Sequence, residues 1–151
     1  MYMLATRAYN KGFTLIEVLL SVTVLVLTLG FMAPLTERLL MQNNVRGARD
    51  VVSESLRKAS IFARSGLQGT AWGVYIEQGK VTVFSGTAYA TRQKDLDETT
   101  EIASSVTITG PKEIIFTRGS GIPSKVGTIQ FENNGDSVKV ILNEKGALLY
   151  Q

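Results

Sequence analysis

KGFTLIEVLLSVTVLVLTLGFMAP, residues 11–34, is the stretch whose reading decides the fold. From Phe13 to Ala33 it holds 21 residues, of which only Glu17 is charged. At about 1.5 Å of rise per residue such a helix covers roughly 32 Å, close to the hydrocarbon thickness of a bilayer. Length and polarity therefore predict a membrane-spanning helix over 13–34. Two details set it apart from a plain anchor. A carboxylate sits one turn inside the apolar end, and a short basic leader, MYMLATRAYNKG, stops at Gly12 just before the run begins.

Working outward, Arg7 and Lys11 in the leader fit the excess of positive charge found on the cytoplasmic side of a membrane. A secretory signal peptide and an uncleaved signal anchor are the competing readings. The former has an apolar core of about 7–15 residues and a small-residue cleavage site. Here the run is longer and ends in FMAPLTE. An ionised carboxylate in hydrocarbon costs several kcal/mol unless paired, so Glu17 either snorkels to the headgroups or meets a cation. At the far end, Gly30 and Pro34 are both poor helix residues, and together they mark a weak point where the helix leaves the membrane.

After Pro34 a helical period resumes. Val45, Ala48, Val52, Leu56, Ala59 and Phe62 recur every three or four residues, with Arg46, Arg49, Asp50, Glu54, Arg57 and Lys58 off the stripe. Glu54 and Lys58 are spaced as an i,i+4 pair. Gly66 and Gly69 end the segment, so 35–66 is an amphipathic continuation of one helix from Phe13 to about Ser65. From Trp72 the period becomes two. Trp72, Val74 and Ile76, the turn Gln78-Gly79, then Val81 and Val83 predict a hairpin. Residues 85–104 are polar, mixed in charge and aperiodic, and are expected to form a long surface loop able to hold a short helix. Val106 and Ile108, Glu113–Thr117, Thr128–Glu132, the return strand through Val138, Val140 and Leu142, and Ala147–Tyr150 complete a β-rich body over 67–151. Asn134-Gly135 is the strongest hairpin signal in the chain, because a type I′ turn needs positive φ at both central residues. The expected class is α+β, a long N-terminal helix packed on a C-terminal antiparallel sheet.

Composition narrows the function. The chain has neither cysteine nor histidine, which removes disulfides, thiolate and imidazole chemistry and Cys/His zinc sites. Net charge is +3, but with Arg7 and Lys11 set aside 14 basic residues face 13 acidic ones. A near-neutral body gives no electrostatic case for nucleic acid as the main partner. Arg92/Lys94 and Arg118/Lys125 are the candidate basic pairs. Asp95, Asp97, Glu98 and Glu101 read as a solvated acidic stretch, and Gly119-Ser120-Gly121 as loop flexibility, since neither a Gly-Lys-Ser/Thr sequence nor a helix follows. No metal, cofactor or enzymatic activity is expected.

Gly12-Phe13-Thr14-Leu15-Ile16-Glu17 resembles the cleavage and methylation signal of type IV pilins and type II secretion pseudopilins. The resemblance implies that a prepilin peptidase cuts after Gly12, that Phe13 becomes the methylated N-terminus, and that Glu17 meets the terminal amine of a neighbouring subunit during assembly. Spacing alone also puts the amine of Phe13 four residues from Glu17. The resemblance implies unwinding at Gly30 and Pro34 when subunits pack into a filament. It implies a single-pass protein of the bacterial inner membrane, its N-terminus cytoplasmic and its body outside, later part of a pilus or pseudopilus in the periplasm or beyond. Partners implied are the peptidase, other pilin or pseudopilin subunits, an inner-membrane assembly platform and, before assembly, lipid. The order of elements is similar to the GspH/FimT group of minor pilins. Two departures are the lack of a C-terminal disulfide and the tail NEKGALLYQ, where DNA-uptake members carry a basic Gly-Arg-x-Arg-like end. A tip-located minor pilin that binds DNA or another ligand thus stays open as the alternative, with nucleic acid disfavoured.

Overall fold

The computed structural model describes residues 12–151, with side chains described at 12–29 and 43–151. Helix α1 runs Leu15–Ser65. The chain divides into two compact units, one ending at Arg38 and the other Leu39–Gln151. Leader residues 1–11 lie outside the described residues, as do the surroundings of Gly30 and Pro34.

In the second unit α1 buries Val45, Ala48, Val52, Leu56, Ala59 and Ala63. The expected stripe holds to its last turn, where Ala63 rather than Phe62 takes the fully buried place. Phe62 is half-buried and packs edge-on against Trp72, with ring centroids 4.8 Å apart. The helix ends because Gly66 adopts φ 68°, the left-handed conformation that glycine reaches without steric cost. Ala63 O accepts the Gly66 N–H at 3.2 Å and the Gly119 N–H at 2.8 Å, so two donors satisfy a terminal carbonyl. Gly119, read as loop flexibility, therefore helps to cap α1.

Where one sheet is expected, the described residues form two, each of four antiparallel strands. Sheet A has the order β3-β2-β1-β5, built from β1 Trp72–Glu77, β2 Lys80–Ser85, β3 Gln93–Glu101 and β5 Glu113–Phe116. Sheet B has the order β4-β6-β7-β8, built from β4 Thr107–Thr109, β6 Gly127–Asn133, β7 Asp136–Leu142 and β8 Leu148–Tyr150. Alternation decides which residues face the core. Trp72, Val74 and Ile76 of β1, Val81 and Val83 of β2, Ile114 and Phe116 of β5, Ile129 and Phe131 of β6, and Val140 and Leu142 of β7 join the helix stripe in one buried cluster. Asn134 (φ 49°) and Gly135 (φ 96°) make the expected turn between β6 and β7.

Residues 85–104 do not form a loop. After a 310 turn at Tyr89–Thr91 the chain enters β3, which pairs with β2 from Val83↔Glu98 to Lys80↔Glu101. The sequence hides this strand because it lies at the sheet edge with most of its side chains exposed, so no apolar alternation is required. Charged side chains on an exposed edge also discourage pairing with other chains. Lys58 pairs with Glu98 of this strand, not with Glu54 four residues away.

Candidate functional site

Gly12, Phe13 and Thr14 precede α1 as exposed chain without regular structure. Thr14 sets where the helix begins. Its carbonyl accepts the N–H groups of Glu17 (3.1 Å) and Val18 (3.2 Å), and its Oγ1 accepts the Glu17 N–H at 3.3 Å. This N-cap satisfies one of the free donors of the first turn, a saving of about 1 kcal/mol. Thr14-Leu15-Ile16-Glu17 has the spacing of a capping box, the sequence signal that would have placed the helix start after Thr14 rather than at Phe13. Glu17 lies in the first turn, where a carboxylate complements the positive end of the helix. A Cβ built at Gly12 meets nothing within 4 Å, so the fold itself makes no steric demand for glycine at this position.

From Leu15 to Leu29 the large apolar side chains are all more than half exposed, and Phe13 is 83% exposed. The polar residues among them turn inward to the helix backbone. The hydroxyls of Ser21, Thr23 and Thr28 donate to the carbonyls of Glu17 (2.8 Å), Leu19 (2.7 Å) and Val24 (2.9 Å). With those hydroxyls satisfied internally, the outer surface of the segment is apolar apart from Glu17. Among the described residues no helix is long and apolar enough to cross a membrane. The segment read as spanning, 13–34, continues beyond Leu29 into residues whose side chains lie outside the described set.

On the body the candidate basic pairs are not assembled into a patch around Arg92. Its guanidinium lies 3.7 Å from the centroid of the Tyr89 ring, donates from Nε to Asp97 Oδ2 at 2.7 Å and from Nη1 to Tyr89 O at 2.8 Å. The Asp97 hydrogen bond, followed by that carboxylate's charge, holds Arg92 above its ordinary pKa. Tyr89 stacks on Tyr75 (3.9 Å) and meets Phe84 edge-on (5.4 Å), while its N–H donates to Glu113 Oε1 at 2.7 Å. This cluster fastens residues 85–92 over the outer face of sheet A. Lys94, Arg118 and Lys125 are exposed. Of the acidic stretch, Asp97 and Glu98 are held by Arg92 and Lys58. Among the described residues no three acidic, His or Cys side chains are grouped to hold a metal.

A helix whose second half packs on antiparallel sheets, and whose first half is exposed and apolar behind a capped start, defines a pilin-like α+β fold. Residues 7–33 match the family model described as the prokaryotic N-terminal methylation motif. The fold is similar to that of the minor pseudopilin EpsH from the Type 2 Secretion System of Vibrio cholerae, with a TM-score of 0.53 and 17% identity over 72% of this chain and 96% of that one. No curated protein sequence gives a significant match.

Proposed function

We propose that this chain is a structural subunit of a pilus or secretion pseudopilus. In this reading prepilin peptidase cuts after Gly12, Phe13 is methylated, the helix holds the protein in the cytoplasmic membrane, and an assembly platform passes it into a filament. The observation that carries the proposal is the methylation motif over residues 7–33 joined to a helix that displays its apolar side chains outward. Each of those side chains leaves about 25 cal/mol in water for every Å² that a lipid or a sister helix would cover. Glu17 is then the one group that burial penalises, and a neighbour's terminal amine at Phe13 offsets that cost by pairing. Gly30 and Pro34 serve as the place where the helix yields on packing. The sheet body faces outward.

Mass spectrometry of the N-terminus of membrane-extracted protein is the direct test. A mature chain beginning at methylated Phe13 is expected, and an intact Met1 terminus in cells with active peptidase would overturn the reading. Glu17→Ala is expected to leave cleavage unchanged while cutting filament incorporation at least tenfold, the effect of about 1.4 kcal/mol or more. Normal incorporation of that variant would remove the pairing role.

A further inference from the structure

Sheet A ends on two edges of opposite chemistry. One is β3, where Asp95, Asp97, Glu98 and Glu101 share nine residues with a single lysine, Lys94. At the other, residues 117–126 run along the outer side of β5. Pro123 bridges Phe116, Ser124 N–H donates to Ile115 O at 2.7 Å, and Thr117 N–H donates to Ile122 O at 2.9 Å. That segment carries Arg118 and Lys125 and no acid. The strand order β3-β2-β1-β5 puts the two features at opposite ends of one sheet.

Each edge also presents apolar surface beside its charge. At the β3 edge a groove of about 300 Å³ is lined by Phe62, Leu67, Trp72 and Leu96 together with Asp95 and Asp97. Leu67 is 40% exposed. Asp97 is already held by Arg92, and Glu98, which also lines the groove, by Lys58, which leaves the exposed Asp95 as the acid open to a partner. A cation on an aliphatic stem would meet the exposed Asp95 carboxylate while its stem covers the apolar floor. At the opposite edge Lys125 stands between Ile122 and Val126, themselves 54% and 49% exposed. A lysine flanked by exposed aliphatic side chains complements an apolar groove with an acidic wall.

We propose that residues 122–126 of one copy dock into the β3-edge groove of a second copy, with Lys125 directed at Asp95. Donor and acceptor are different surfaces at opposite ends of a sheet. The contact is therefore heterologous and repeats from copy to copy instead of closing as a dimer. It rests on the reading of the chain as an assembling subunit and gives the sheet body a share in that assembly. A contact of this size is weak between free molecules and becomes effective once the helices hold the copies side by side.

The cysteine-free sequence makes the test clean. Full-length protein carrying both Asp95→Cys and Lys125→Cys, in membranes with active peptidase, is treated with a short bismaleimide. A ladder of dimers, trimers and higher species is expected, with little from either single variant. Asp95→Lys alone should reduce assembly about fivefold, the scale of a good surface ion pair, and Lys125→Glu in the same chain should restore it. A double-cysteine protein that is cut after Gly12 and assembles without a ladder overturns the contact and leaves the proposed function standing. So does crosslinking only to a protein of different mass, or only into closed dimers. An uncut wild-type chain instead overturns the subunit reading, and the contact with it.

Discussion

Gly73 offers a prediction whose sign, not only its size, follows from the geometry. It lies in β1 opposite Phe84 of β2 and Ile115 of β5, on the face of sheet A turned away from α1. A Cβ built there falls 2.5 Å from Phe84 Cζ, 2.8 Å from Phe84 Cε1 and 3.1 Å from Ile114 O. Phe84 is fully buried, and Tyr89 meets its ring edge-on, so the ring cannot simply swing aside. The φ of Gly73 is not among the positive ones, and an alanine suits its backbone. On backbone entropy alone Gly73→Ala would stabilise by about 0.4–1 kcal/mol. Overpacking of this kind costs about 1–3 kcal/mol. The clash wins, and a net loss of about 1–2 kcal/mol is expected. With a urea slope of roughly 2 kcal/mol per molar for a domain of this size, the unfolding midpoint of the unit Leu39–Gln151 should fall by about 0.5–1 M. Trimming the ring in the double variant Gly73→Ala/Phe84→Leu should make the combined loss smaller than the sum of the single losses by about 1 kcal/mol or more. A midpoint that rises in Gly73→Ala would mean that the Phe84 ring does not lie over the glycine.

The cluster on that same face carries a second prediction. Arg92→Ala removes the bond to Asp97 and the cation over Tyr89, so hydrogen exchange at the Tyr89 amide should quicken several-fold while exchange in β6 and β7 is unchanged. Equal exchange at Tyr89 in both proteins would show that residues 85–92 are held without the arginine. The C-terminal strand carries a third. Tyr150 Oη accepts from Arg57 Nη2 at 2.7 Å, and the ring lies 5.6 Å from the guanidinium carbon of Arg49. Tyr150→Phe loses an exposed hydrogen bond and should cost about 0.5 kcal/mol in urea unfolding. Tyr150→Ala, which also removes the ring, should in addition speed exchange at the Lys139 and Gln151 amides that bond each other's carbonyls.

What could be read from the sequence was whatever is decided by neighbours along the chain. The stripe from Val45 to Ala59 follows from a 3.6-residue period over a single buried face, and Asn134-Gly135 follows from the φ values that a two-residue turn demands. β3 is decided elsewhere. QKDLDETTE has little apolar content to mark it. Its strand is imposed by the free edge of β2, by Lys58 reaching Glu98 from 40 residues away, and by the hydroxyl contact of Thr82 with Thr99 at 3.1 Å. The same distinction separates the two surfaces proposed to act in assembly. The stretch proposed to act through Gly12 and Glu17 stands out along the chain because its signal is linear: exposed chain, one capping threonine and an apolar run broken only by Glu17, Ser21, Thr23 and Thr28. The groove beside Asp97 is not, because its floor combines Phe62 of the helix, Trp72 of β1 and Leu96 of β3, and its proposed complement at Lys125 lies across the whole sheet. Surfaces that arise only from strand order leave no periodic trace, so the charge split between 93–101 and 117–126 acquires meaning only when both are placed at the ends of one sheet. If crosslinking joins those two ends, the acidic stretch and the glycine-rich loop, each unremarkable in sequence, are the two halves of one repeating contact.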